Sequence, residues 1–293
     1  MTVDPEGLPD ELSAYAAQHC GKKRIWTSLR GGRSNRSWRL QSDTCDWVFK
    51  LFDMTRSNAV FPNDPQAEMR ALTALTGTGL APEYVASIGT RAGVCLVYHY
   101  LAGDPIDHAD AEAMDMLGKL HSLPPVSGLR HVETTPAKLL REGRNILSGL
   151  ETEPASRLLR HMPEQTDIRP GPARFVHGDP VPANILSRGT QRFLIDWQCP
   201  GVGDASADLA IALSPAMHVV YGAALLTPEA EDDALSAYPD KATIARYKAL
   251  RPYYLWRMAA YCAWKAAQGE AIYAQAFEVE FDVLRKGFSL IWP

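Results

Sequence analysis

The stretch Phe175-Val-His-Gly-Asp-Pro-Val-Pro-Ala-Asn-Ile-Leu186 constrains the fold of this chain more than any other. Pro180 and Pro182 fix φ and remove backbone donors, so the middle of the stretch is a rigid loop. Its two ends, Phe175-Val176 and Ile185-Leu186, are apolar and must be buried. The loop carries Asp179 and Asn184, five positions apart. A second stretch, Arg192-Phe-Leu-Ile-Asp-Trp-Gln198, places Asp196 at the end of an apolar, strand-like run that leads into a Gly-containing turn.

Phosphoryl transfer to a hydroxyl asks for a carboxylate to receive the proton and hard oxygen ligands for magnesium. Asp179 suits the first task, and the amide oxygen of Asn184 with the carboxylate of Asp196 suits the second. His177-Gly178-Asp179 with Asn184, followed by Ile195-Asp196-Trp197, resembles the aminoglycoside phosphotransferase and choline kinase superfamily, whose members share the protein-kinase fold. The resemblance implies an α+β, bilobal protein-kinase-like fold. It would have an N-terminal antiparallel five-stranded sheet with a helix at residues 1–98, a hinge at 99–104 and a larger, mainly helical lobe at 105–293. It also implies an ATP- and Mg2+-dependent kinase acting on a small-molecule alcohol.

Composition agrees with an enzyme of this kind and excludes several others. With 293 residues, 46% of them hydrophobic, the chain can bury a sizeable core. A net charge of -4 and scattered Lys and Arg residues give no footprint for nucleic acid. Five dispersed cysteines without a Cys-x-x-Cys pair argue against a disulfide framework or zinc site, and point to a reducing cytoplasm. The acidic start Met-Thr-Val-Asp-Pro-Glu is unlike a signal peptide, and apolar runs are too short for a membrane span.

Along the chain, residues 8–20 have helical spacing, and 25–29, 37–40 and 47–52 then alternate as short strands. Between the first two strands lies Leu29-Arg-Gly-Gly-Arg-Ser-Asn-Arg-Ser37, a Gly-Gly hairpin that reads either as a plain turn or as a cradle for phosphate. The resemblance favours the cradle and assigns it to Gly32, Ser34 and Asn35. It makes Lys50, on the third strand, the partner of the nucleotide phosphates. Glu68, in the first turn of the helix starting at Pro65, becomes the partner of Lys50. Two further strands, 84–87 and 94–100, complete the sheet. The extended segment Tyr98-His-Tyr-Leu-Ala-Gly-Asp-Pro105 resembles the hinge whose backbone meets the adenine edge, here at His99 and Leu101.

From residue 110 the period is helical. His121, at the end of the 111–122 helix, reads as a packing residue. Asp204 and Asp208 match positions that in relatives support the catalytic loop. There is no Asp-Phe-Gly or Ala-Pro-Glu and no long segment between them, which suits a kinase for a small alcohol rather than for a polypeptide. A C-terminal helix carries Tyr253, Trp256, Tyr261 and Trp264. Aromatic faces attract cations, so Tyr253, Trp256 and Trp264 are candidates for a substrate's ammonium, and the same stripe could equally pack the lobe. An acceptor like choline, ethanolamine or thiamine is the leading expectation. An aminoglycoside or amino sugar, for which the acidic run Glu229–Asp233 could serve, is the alternative, as is a non-catalytic pseudokinase.

Overall fold

The structure, a computed structural model, describes residues 7–29 and 34–289. The described chain forms two compact units. One comprises residues 1–103 together with 126–129 and 193–200, and the other the remainder. Asp196 therefore belongs with Lys50, whereas Asp179 and Asn184 belong to the second unit.

In the first unit helix α1 (Asp10–His19) precedes strands β1 (Ile25–Leu29), β2 (Arg36–Gln41) and β3 (Asp46–Leu51). Helix α2 (Pro65–Ala74) and strands β4 (Tyr84–Thr90) and β5 (Gly93–His99) follow. The five strands make one antiparallel sheet of order β1-β2-β3-β5-β4. Pairing sets Trp38 opposite Phe49, Phe49 opposite Val97 and Leu51 opposite Cys95. With a side-chain period of two, these residues share a face, and Leu12 and Ala16 of α1 close over it. Lys50, opposite Leu96 in the register, falls on the other face. Asp64 caps α2 by accepting from the amides of Gln66 and Ala67, with Pro65 in the first turn.

The second unit holds strand β6 (Asp104–Pro105), helix α3 (Ala111–Ser122), strand β7 (Arg130–Val132), helices α4 (Pro136–Leu147) and α5 (Glu153–Arg160), and strands β8 (Arg174–Val176) and β9 (Ile185–Arg188). After β10 (Gln191–Leu194) and β11 (Gly201–Gly203) come α6 (Ser206–Ala212), α7 (Pro215–Tyr221), α8 (Pro228–Ser236), α9 (Lys241–Ala267) and α10 (Ile272–Ser289). Strand β11 lies between β7 and β8, parallel to the first and antiparallel to the second. Its sequence reads as a turn because of Gly201 and Gly203. These glycines instead permit close approach: a Cβ on Gly203 would sit 2.0 Å from the Val132 carbonyl oxygen. Strand β6 was also hidden, because Asp104-Pro105 looks like the end of a connector. It pairs with Ser187 and Leu186 of β9 and so fixes one end of the proline-rich loop.

Candidate active site

Lys50 is the centre of an ion cluster in the first unit. Its ammonium donates to Glu68 Oε2 and to Asp196 Oδ1, at 2.5 Å each. Lys50 and Glu68 are 3% and 1% exposed, so this is a buried ion cluster. Burial alone would drive the lysine neutral, but the carboxylates of Asp196 and Glu68 outweigh it and hold the ammonium charged. Burial pushes the Glu68 carboxyl up to about 7, with Lys50 pulling it down and Asp196 adding to the rise.

Backbone geometry explains how Asp196 is presented. It has φ 61°, the only positive value at a non-glycine among the described residues. An aspartate tolerates the left-handed region better than most side chains, and an apolar strand ending there turns sharply. Leu194 N donates to Leu80 O (2.8 Å) and the Trp197 indole to Leu194 O (3.0 Å), pinning the turn on both sides of Asp196.

Asn35 enters the same architecture in an unforeseen way. Its Nδ2 donates to Asn63 Oδ1 (3.0 Å) and Gln198 Oε1 (3.2 Å), while its Oδ1 accepts from Asn63 Nδ2 (2.8 Å) and the Asp53 amide (3.0 Å). Four bonds occupy both donors and both lone pairs of the side chain. This amide therefore clasps the start of β2 to the segment before α2 and to the residue two beyond Asp196. Gln198 O also accepts from Asp64 N (3.0 Å). Ser34 immediately precedes the clasp, and Gly32 lies outside the described residues. Neither Asn63 nor Gln198 was legible as functional, since a lone amide has no distinctive spacing. Gln198→Leu is expected to raise the magnesium concentration for half-maximal turnover about tenfold, the loss of one buried hydrogen bond. Gln198→Glu, which still accepts, should restore it. Magnesium titrations of the three proteins check this, and equal half-saturation in Gln198→Leu would remove the clasp from Asp196 placement.

In the second unit the proline loop is suspended from one carboxylate. Asp208 Oδ2 accepts from His177 N (2.7 Å) and Oδ1 from Gly178 N (2.9 Å), while His121 Nε2 lies 3.0 Å from Oδ2 and His121 Nδ1 2.8 Å from the Tyr238 hydroxyl. Burial opposes the charge on Asp208, but His121 and these amides hold its carboxyl below the ordinary range. Gly178 (φ 85°) then turns the chain, and Pro182–Asn184 form a short 3-10 turn. Asn184 Nδ2 donates to Asp179 O (2.9 Å) and Oδ2 (3.3 Å), which leaves the Asn184 amide oxygen as the atom suited to a hard cation. Asp204 is a separate brace. Its Oδ1 accepts from the Ser206 amide and hydroxyl at 3.0 and 2.7 Å, and its Oδ2 from Thr134 and Arg246.

The aromatic candidates divide. Trp256 is fully buried, donates to Leu158 O (2.9 Å) and packs so closely on Gly143 that a Cβ there would meet its ring at 2.2 Å. Tyr253 is buried, with its hydroxyl 2.7 Å from Glu164 O and 2.9 Å from Thr166 Oγ1. Both rings serve packing. Trp264 is half-buried and belongs to a different cluster, with its ring centroid 5.8 Å from that of Tyr261, which lies 5.8 Å from Tyr273. Burial keeps the Tyr261 phenol protonated, and its neighbour Tyr273 adds to the effect. In the acidic run before α9, Glu231 bonds Tyr247 and Arg251, and Asp232 pairs with Lys248.

At the end of β5, the His99 amide donates to Glu83 O (2.9 Å) and that of Tyr100 to Asp46 O (2.9 Å). Residues 101–103 continue without regular structure, with Leu101 half-buried. Among the described residues no group of three or more His, Cys, Asp and Glu side chains could hold a metal ion. Among the described residues no helix is long and apolar enough to cross a membrane.

Comparison with solved structures finds the same fold in proteins of low identity. A choline kinase from Cryptosporidium parvum Iowa II is 12% identical, with TM-score 0.63 over 95% of this chain and 97% of that one. A choline/ethanolamine kinase family protein from Mesorhizobium loti is 18% identical, with TM-score 0.63 over 94% and 93%. A spectinomycin phosphotransferase, solved with ADP and spectinomycin, is 14% identical, with TM-score 0.62 over 95% of both chains. No curated protein matches the sequence. The model of the phosphotransferase enzyme family matches residues 25–253, and the chain is a member of that family, a small-molecule kinase with the protein-kinase-like α+β fold.

Proposed function

We propose that the chain transfers the terminal phosphoryl group of ATP to a hydroxyl of a small amino alcohol of the choline, ethanolamine or thiamine kind. The observation that carries this reading is the Lys50 ammonium held between Glu68 and Asp196. A buried lysine kept charged by two carboxylates is poised for phosphate oxygens. Ser34 and Asn35 would stand over those oxygens, and the backbone at His99 and Leu101 would receive the base. Asn184 and Asp196 would hold Mg2+, which when bound neutralises charge on the transferring group. Asp179, fixed through Asn184 and the Asp208-suspended loop, orients the acceptor hydroxyl and takes its proton.

Trp264, with Tyr261 and Tyr273, supplies aromatic faces of the kind an ammonium seeks, and the relatives that share the fold include a choline kinase. An aminoglycoside would call for unengaged acids, and Glu231 and Asp232 are already paired. A coupled assay with ATP or GTP, with and without magnesium, across choline, ethanolamine, thiamine, amino sugars and aminoglycosides tests the reading. Magnesium-dependent turnover with an amino alcohol is expected. Turnover confined to aminoglycosides would replace the acceptor, and no transfer to any of them would favour the non-catalytic alternative.

A further inference from the structure

A closed clasp of three residues holds the point where the sheet passes into the connector after β5. Arg39 of β2, opposite Val48, falls on the same face of the sheet as Lys50. Its Nε and Nη2 donate to Asp46 Oδ1 and Oδ2, at 2.7 Å each, a two-pronged pairing. The same guanidinium lies over the Tyr100 ring, its central carbon 3.6 Å from the centroid. Tyr100 is tied to Asp46 a second time, by its amide on the Asp46 carbonyl oxygen (2.9 Å). Backbone bond, ion pair and stacked ring thus close a circuit through β2, β3 and the connector. The His99 amide is engaged as well, with Glu83 O (2.9 Å). Leu101 comes next, and its amide is the first after β5 to donate to no group among the described residues.

We propose that this clasp positions the Leu101 amide for the nucleotide base, with Arg39 as a positioning residue that acts through Tyr100. This rests on the ATP-dependent reading and deepens it, since it names what holds the base end of the site while Lys50 holds the phosphate end. A single hydrogen bond to Asp46 O leaves the peptide that follows free to pivot at Tyr100. A ring fixed under a planar guanidinium restrains the residue before a base arrives, so less order has to be imposed on binding. Arginine suits this task and lysine does not, because one planar group makes the fork to Asp46 and the stack on Tyr100 together. The fork is open to water, with Arg39 23% and Asp46 44% exposed, so it contributes little to global stability. Its effect belongs to binding.

Truncating the ligand separates the two ends of the site. ADP and inorganic pyrophosphate, which lacks base and sugar, are titrated calorimetrically with magnesium into the wild-type chain, Arg39→Met, Tyr100→Leu and Tyr100→Phe. Arg39→Met and Tyr100→Leu are expected to raise the ADP Kd about tenfold, the scale of one stacked cation–π contact, and to leave the pyrophosphate Kd within about twofold. Tyr100→Phe keeps the ring and should match wild type for both ligands. With whichever acceptor is turned over, Arg39→Met should raise KM for ATP about tenfold at nearly unchanged kcat. An ADP Kd that does not move in Arg39→Met, an equal loss for pyrophosphate, or a Tyr100→Phe as weak as Tyr100→Leu overturns the proposal and reduces the clasp to a brace of the sheet. A wild-type chain that binds pyrophosphate as tightly as ADP removes base recognition from the connector, and the clasp's role with it. A wild-type chain that binds neither ligand defeats the ATP-dependent reading itself, an outcome distinct from normal ADP binding that the variants leave untouched.

Discussion

Asp179→Asn should reduce kcat about a thousandfold, the middle of the range for a positioned general base. The substitution keeps the shape of the side chain, and the new amide oxygen can still accept from Asn184 Nδ2, now 3.3 Å from Asp179 Oδ2. What it removes is the group able to take the hydroxyl proton. Suspension of the loop does not depend on that group, because His177 and Gly178 amides hang from Asp208. The unfolding midpoint should therefore stay within a few degrees of the wild-type value, and nucleotide affinity, assigned to Lys50 and its neighbours, should not change. Steady-state kinetics with nucleotide titration and thermal unfolding check all three. A kcat within tenfold of wild type would take the role of base away from Asp179.

The same residues explain what the sequence made legible. Asp179, Asn184 and Asp196 stood out because phosphoryl transfer imposes residue types and spacing within single loops, and proline and apolar flanks identify such loops locally. The Lys50–Glu68 pair needed the sheet and α2 to bring together residues 18 apart, and only the resemblance supplied that. Gln198 and Asn63 could not be found this way. An amide bonding across 163 residues to Asn35 leaves no periodic trace. Strands β6, β7 and β11 were hidden for a related reason. Runs of two or three residues carry too little pattern to separate a strand from a turn, and β6 and β11 also contain Pro or Gly.

The second large effect separates chemistry from stability within one ion cluster. Asp196→Asn should lower magnesium-dependent turnover about a thousandfold, equivalent to about 4 kcal/mol of lost transition-state stabilisation. It should still fold, because asparagine accepts the left-handed backbone at φ 61° and Lys50 keeps Glu68. Lys50→Met should abolish turnover to a similar degree and also destabilise the chain. It leaves Glu68, 1% exposed, beside Asp196 without a cation, at a cost of about 3 kcal/mol, on the order of 10 °C in midpoint. The pH dependence of that loss has a definite sign. Glu68 already takes its proton at about 7 with Lys50 present, well above its ordinary value, and removing the lysine removes what holds it down. The folded state then binds a proton that the unfolded chain releases, so the stability gained by protonation is present at low pH and lost as pH rises through the folded value. Thermal unfolding of Lys50→Met should consequently fall closer to wild type at pH 6 than at pH 8. Equal offsets for Lys50→Met at the two pH values would mean that Glu68 is not the group left uncompensated, and the cluster would lose its account as a charge-balanced phosphate site.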